Sequence, residues 1–346
     1  MTIKRLSFLS VVGLAFLTGA ALLPNRAYAQ SVTADQLQVL VPDEQDLQGF
    51  TRIRPAGEMP LSEVYSQAEK KWIHPVSPAE RMEDKIIVDK DATESPFGWV
   101  PLPDHSGTFS QIIRSLYSRD DTYHLTITAN VCDSAETAKR EITQFVHSCS
   151  APFQPGTFRS STPIGEESWI NPSGYSTLIC RYGRLVVIID GMRTGLASRQ
   201  SSRTPFPPSA VEAVAYQILL QASRQAKLTG VSTQDAHVAV NGKPLDTSAL
   251  MASRQVYVPV AEFAKAMGMQ SQWNAKTGAL TLTKAAQKPI TLTAGSTAGK
   301  VGTAEVALTT PVLKEAGQPV MTLHDLLTLT GGRIVSQKGT AIAVKA

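Results

Sequence analysis

Glu166 and Glu167 stand side by side in "IGEESW" (Ile164–Trp169), after a glycine and before a serine. Paired carboxylates can divide general-acid and general-base work, so this is the first place where a reaction could be carried. Adjacent residues of an extended chain point to opposite faces, however, and a loop running into a strand here keeps the two carboxylates off one substrate atom. Six histidines are available: His74, His105, His124, His147, His237 and His324. No two lie within a few residues of each other and no H-x-H or H-E-x-x-H occurs, so each is read as structural rather than as a metal ligand. Met267 and Met269 come nearest to a soft-ligand pair for copper; unbranched and polarizable, they are read as core filling. G-x-S-x-G is absent, and the glycines of "GVSTQD" and "TGGR" lack the Lys-Ser/Thr ending that grips a nucleotide. No catalytic, cofactor-binding or metal-binding residue is assigned, and no cofactor is expected. What remains is the Gly191–Ser209 segment, which carries Arg193, Arg199 and Arg203 between an apolar strand and a helix. Long loops on rigid scaffolds collect binding residues, so these arginines are the candidate ligand contacts, the alternative being a plain connector.

Such residues need a scaffold and a compartment. The 346 residues leave room for two domains, and a charged fraction of 18% is too low for a disordered tail protein. Lys4 and Arg5 precede an apolar run from Leu6 to Leu23, and Pro24, Ala27 and Ala29 then lead to Gln30. That order predicts a secretory signal peptide over residues 1–29; the alternative is a retained anchor, since the run is almost long enough to span. No cysteine follows the run to take a lipid, and no later segment is apolar for long enough to cross a bilayer. The chain is expected in the periplasm or outside the cell, without a stable membrane span once the leader is cut. The leader takes Lys4, Arg5 and Arg26 with it, so the formal charge of +4 drops by three to +1. That balance gives no electrostatic case for nucleic acid or anionic lipid. Cys132, Cys149 and Cys180 form an odd set. A predicted helix holds Cys132 and Cys149 roughly 20 Å apart, too far to bridge. Cys180 could pair with either, or all three could stay free.

The elements read as α+β, two domains each with a mainly antiparallel sheet and covering helices. In residues 30–226, "LQGFTRI" suggests an early strand, and "LSEVYSQAEKKWI" (Leu61–Ile73) a helix, with Val64, Ala68 and Trp72 every four residues. "TFSQIIRSLYS" and "YHLTITANV" have strand composition around a turn at "SRDD". Asp133 or Ser134 then begins a helix whose Ala135, Ala138, Ile142, Phe145 and Val146 share a face. "STLICRYGRLVVIIDG" predicts a hairpin turning near Gly183, its second arm apolar on both faces and therefore central in a covered sheet. In "PPSAVEAVAYQILLQASRQ", Ser209 and Glu212 have capping-box spacing, and Val211, Val214, Ala215, Ile218, Leu219 and Ala222 make one stripe. Small and polar residues 227–236 read as a linker. Residues 237–346 contain an internal repeat: Val258 to Gly268 aligns with Met321 to Gly331 at a constant offset of 63, each copy a strand, a helix with an acid in its first turn, a terminating glycine and a further strand.

One segment resembles a known family. "VNGK" (Val240–Lys243), "VYVPVAEFAKAMG" (Val256–Gly268) and Trp273 before "NAKTGALTL" are similar to the copper amine oxidase N-terminal-like domain, a stalk module of exported bacterial proteins, and the likeness covers residues 236–346. This chain has Ala261 where the family often has Arg, and Thr322 in the second copy where the first has Pro259. In the oxidases named for it, copper and quinone lie in a different domain, so the resemblance implies no oxidase activity. Pro259, Gly268 and Trp273 are read as structural; for Trp273 the alternative is an exposed stacking platform. No family is assigned to residues 30–226.

Together these expectations describe an exported, non-enzymatic protein. The first domain would bind a ligand or partner, and the stalk-like module would present it or dock it to a cell-envelope component or another exported protein. A hydrolase with its site in residues 30–226 is the alternative, and a copper-handling protein a further one.

Overall fold

The structure, a computed structural model, describes residues 32–54, 57–58, 64–66, 71–73, 76–77, 79–91, 108–119, 123–148, 164–171, 176–193, 208–247, 249–252 and 254–345. The first part of the chain runs α1 (Ala34–Gln38), β1 (Phe50–Thr51), β2 (Ile53–Arg54), β3 (Gly57–Glu58), β4 (Val64–Ser66), β5 (Lys71–Ile73), β6 (Val76–Ser77), β7 (Glu80–Arg81) and β8 (Lys85–Asp91). It continues through β9 (Thr108–Ser118), β10 (Tyr123–Cys132), α2 (Ala135–Ser148), β11 (Glu167–Asn171), β12 (Ser176–Tyr182), β13 (Leu185–Arg193), α3 (Pro208–Arg224) and α4 (Ala226–Thr229). Then follow β14 (Thr233–Val240), β15 (Lys243–Pro244), β16 (Ala249–Ala252), β17 (Gln255–Pro259), α5 (Val260–Ala266), β18 (Gln270–Asn274), β19 (Ala279–Thr283) and β20 (Ile290–Thr293). The last are β21 (Ala298–Val301), β22 (Ala304–Ala307), β23 (Leu313–Glu315), β24 (Gln318–Thr322), α6 (Leu323–Thr330), β25 (Arg333–Lys338) and β26 (Ala341–Lys345).

A seven-stranded antiparallel sheet, ordered β1-β9-β10-β13-β12-β11 with β8 also on β9, organises the N-terminal half. Alternation along β10 decides its faces: Leu125, Ile127, Ala129 and Val131 are buried toward one side, and Thr126 and Thr128 lie on the other. In β13 both sides are apolar. Leu185, Val187 and Ile189 join one cluster and Val186 and Ile188 another, because a helix covers each face. Ala138, Ile142, Phe145 and Val146 of α2 cover the second face, capped by Ser134, whose Oγ accepts from Thr137 N. Ala135, grouped with that stripe by periodicity, is exposed. The β12–β13 hairpin closes through Gly183-Arg184, and a side chain at Gly183 (φ +58) would also strike Thr229 O at 2.5 Å.

Three expectations are corrected here. The helix expected over Leu61–Ile73 is replaced at its described residues by strands: β4 and β5 pair antiparallel, Val64 opposite Ile73 and Tyr65 opposite Trp72, as β-branched and aromatic residues favour. Ser209 does not cap α3, because the helix already begins at Pro208, a residue suited to the first helical position. The stretch read as a linker is mostly ordered secondary structure, α4 followed by the start of β14. Leu228, Thr229 and Val231 are buried there, and Thr229 Oγ1 donates to Ala222 O and Gln225 O, folding the chain back on the end of α3.

The C-terminal half holds an eight-stranded sheet ordered β23-β24-β17-β16-β14-β26-β25, with β15 on β14, and a five-stranded sheet from β18 to β22 in sequence order. Pairing between these strands is antiparallel except for β14 with β26, and an isolated parallel bridge joins Ala294 to Val312. Residues 63 apart occupy equivalent places. Leu250 faces Tyr257 in the first hairpin and Leu313 faces Val320 in the second. Where β17 meets β24, Val258 lies opposite its own equivalent, Met321. A local two-fold axis therefore passes through that pair and relates β16-β17 to β23-β24. Both following helices end at left-handed glycines, Gly268 (φ +71) and Gly331 (φ +74).

The first-turn acids are equivalent too, and each clamps a loop 15 or 16 residues upstream. Half-exposed Glu262 accepts from the N–H (2.8 Å) and the hydroxyl of Thr247. Buried Asp325 accepts from Thr309 N and Oγ1, Thr310 N and Oγ1, and Thr322 Oγ1, all between 2.7 and 3.2 Å. Thr322 also caps α6, where the first copy has Pro259 and no side-chain cap. Removing Asp325 strands buried donors, so Asp325→Ala should cost about 3 kcal/mol, against about 1 kcal/mol for Glu262→Ala. Urea midpoints at unchanged slope measure the difference; equal losses would show that burial does not separate the two clamps.

Candidate functional site

The paired carboxylates converge after all, but on a cation. Gly165 (φ +76) turns the chain just before β11, so Glu166 lies outside the strand and escapes its alternation. Glu167 is opposite Arg181 in register, and Arg181 Nε meets Glu167 Oε1 at 2.6 Å while its Nη1 meets Glu166 Oε2. Glu166 Oε1 also accepts from Gly183 N at 2.9 Å. Both acids are thus committed to pinning β11 on the β12–β13 turn.

Other sequence candidates are placed as follows. Met267 and Met269 are buried in the C-terminal core. Trp273 packs against the same core, half-exposed, and its Nε1 donates to Gly317 O at 2.9 Å, joining the five-stranded sheet to the β23–β24 turn. Cys132 and Cys180 are free thiols in clusters on opposite faces of the seven-stranded sheet, so they do not bridge each other. Burial raises both, Cys180 to about 12. Cys149, His74, His105, Arg199 and Arg203 lie outside the described residues; of Arg193 only the backbone is described, paired opposite Tyr123 at the end of β13. His237 and His324 are exposed. Among the described residues no three His, Cys, Asp or Glu side chains gather as a metal site requires.

A cluster of perturbed polar groups on the sheet surface lies where no motif marks it. On the α2 side of the sheet, Ser115, Thr126, Asp190 and Thr177 stand in one lateral row across β9, β10, β13 and β12, with Tyr117 and His124 in the next row. Thr177 Oγ1 donates to Asp190 Oδ1 at 2.6 Å, and Thr126 Oγ1 is 3.4 Å from His124 Nε2. The His124 ring stacks on Tyr117 with centroids 4.5 Å apart and planes 9° from parallel. Desolvation holds His124 down at about 4, so the imidazole is neutral at pH 7. Desolvation raises Asp190, partly offset by the Thr177 hydroxyl. The row offers hydroxyls, a neutral imidazole and one carboxyl group, which sits three residues before β13 ends at Arg193. Its residues come from four strands, with one on each side of every turn between them, which is why sequence spacing did not reveal it. A shallow depression of about 390 Å³ also lies on the five-stranded sheet, lined by Thr281, Thr291, Lys300 and Glu305 among others.

Between these surfaces runs a seam. One apolar cluster includes Leu116, Ile127, Val187 and Ile189 of the first sheet, Val214, Ile218 and Leu219 of α3, and Leu250, Tyr257, Leu313 and Val320 of the repeat. Polar contacts rim it. Lys314 Nζ donates to Gln45 O (2.9 Å) and Gln48 Oε1 (3.3 Å), Gln221 Nε2 donates to Asp46 Oδ2 (2.9 Å), and Arg224 grips Glu315 with two nitrogens.

Residues 239–340 match the family model described as copper amine oxidase N-terminal domain. No curated protein and no solved structure matches the chain. The matched segment does not fit copper: it contains no cysteine and a single histidine, His324, which is exposed, while Met267, Met269 and Met321 are buried in the core.

A pH prediction follows from His124. The folded state holds it neutral to about 4 and the unfolded chain protonates it near its ordinary 6.5. Its contribution is therefore intact above about 6.5 and is lost as the pH falls toward about 4. Raised Asp190 works in the opposite sense, its penalty easing as it takes up a proton. His124→Phe, which keeps a ring on Tyr117, should lose less stability than wild type between pH about 7 and about 4.5 by urea unfolding. Parallel profiles would refute the assignment.

Proposed function

We propose that this chain is an exported binding protein, in which the N-terminal sheet offers the row around Asp190, Thr126 and His124 to a ligand or partner and the C-terminal family module holds that sheet at the cell envelope. The seam carries this reading. A module joined by a wet linker leaves its neighbour free to swing, whereas a continuous apolar core fixes the attitude of one body on the other. The leader-like start, with Lys4, Arg5, the Leu6–Leu23 run and Ala27 and Ala29, supports export. No helix among the described residues is long and apolar enough to cross a membrane. Hydroxyls, a neutral imidazole and a carboxyl group suit hydrogen-bonded recognition of a polar ligand. Glu166 and Glu167, the adjacent carboxylates of the sequence, are engaged by Arg181.

The test uses the chain without residues 1–29, incubated with washed envelope fractions. Retention on the envelope is expected, and recovery in the soluble fraction alone counts against docking. Asp190→Asn and His124→Gln should leave retention unchanged. Substrate turnover abolished by either substitution would instead make the same row an active site.

A further inference from the structure

Gln217, in the middle of α3, is 3% exposed and directs both ends of its amide at one residue. Its Oε1 accepts from Lys314 N at 3.0 Å and its Nε2 donates to Lys314 O at 2.6 Å. Lys314 is the central residue of β23, the terminal strand of the eight-stranded sheet. On the inner side it faces Pro319, which has no N–H to give. Residues of an antiparallel strand alternate between exchanging bonds with the partner and turning their peptide groups away from it. Lys314 is of the second kind, and its N–H and C=O point out of the sheet toward α3.

The local two-fold shows what belongs in that place. Met251, the equivalent of Lys314, is paired on its outer side by Gln234 of β14. Among the described residues no strand lies outside β23 in the sheet order; on that side a parallel bridge joins Ala294 to Val312, the residue before β23, and stops short of Lys314. A primary amide presents the same donor and acceptor, side by side, that a strand residue presents. We infer that Gln217 is a strand substitute: the β23 edge is a strand-accepting site of the C-terminal module, and its occupant in this chain is α3, through that amide. Open, the edge would leave two buried peptide groups unpaired. The inference rests on hydrogen-bond geometry and is independent of what the polar row binds or where the protein docks.

The experiment measures amide exchange at Lys314, as protection factors, together with urea midpoints in the full chain. Wild type should protect Lys314 like an interior strand residue. Gln217→Leu, close in size, should lower that protection at least about tenfold. Gln217→Glu discriminates further. The carboxylate it introduces accepts from Lys314 N–H but repels the carbonyl at neutral pH; once protonated, it supplies both partners again. Protection and midpoint should then recover toward wild type on acidification. If Gln217→Leu protects Lys314 as well as wild type does, or Gln217→Glu tracks wild type at every pH, packing alone explains the contact and the inference fails. Should Gln217→Leu not fold, the pH dependence of Gln217→Glu decides by itself.

Discussion

Helix α3 is buried on all sides, and the architecture depends on that constraint. Val211, Val214, Ala215, Ile218, Leu219 and Ala222 form the stripe that covers a sheet; Ala213, Tyr216, Gln217, Leu220 and Ser223 are buried as well. An apolar helix without a wet face belongs inside a core rather than on one. Gln217 and Arg224 reach β23, and Ala213, Tyr216 and Leu220 share their side by helical spacing. The two halves of the chain therefore meet through one helix instead of flanking a linker. The exposed Arg224–Glu315 pair adds little energy. Lys314 adds direction: the residue is 4% exposed, burial lowers the pKa of its ammonium, and oxygens of the Gln45–Gln48 turn hold it. A buried cation with specific acceptors tolerates few other arrangements.

Where burial is one-sided or complete along a whole element, its period is legible in the sequence. The alternation of β10, the doubly apolar β13, the hairpin at Gly183 and the first face of α3 are all of that kind. Leu61–Ile73 misled because three apolar residues four apart outweighed β-preferring residues at its ends. Thr229 and Val231 looked like linker because a small polar composition does not reveal that a hydroxyl is closing a helix end. The second face of α3 was readable as composition but had no assigned partner, since the surface it covers lies far along the chain. The polar row was hidden for the same reason. Ser115, Thr126, Thr177 and Asp190 become neighbours only through the register of four strands.

The row and the paired glutamates make an instructive contrast. Glu166 and Glu167 look like chemistry in sequence and are held by the single guanidinium of Arg181 in space. Asp190 and His124 look unremarkable in sequence, yet desolvation moves the acid up and the base down. Both shifts favour the uncharged form, and no ion pair among the described residues offsets either. A site of this type recognises by hydrogen bonds whose strength grows as water is excluded. The row lies beside the last residues of β13, where Met192 and Arg193 pair with His124 and Tyr123.

Three departures of the second repeat from the first follow from the same docking. Alignment at offset 63 places Lys314 where the first copy has Met251, Glu315 where it has Ala252, and Val320 where it has Tyr257. Each of these three differs at the seam: Lys314 meets the Gln45–Gln48 turn, Glu315 meets Arg224, and Val320 lies in the cluster shared with α3. Positions that face the helices α5 and α6 keep their character instead, as Val258 and Met321 or Val260 and Leu323 do. A two-fold sheet with one helical cover per copy and a single α3 on its other face cannot remain symmetric there. One helix crossing an axis presents different residues to the two sides, and the outer edge that β14 closes for the first copy falls in the second to Gln217 at Lys314 and to the Ala294 bridge at Val312. The asymmetry that makes the second half of the repeat the fainter one in sequence is thus the imprint of the N-terminal half upon it.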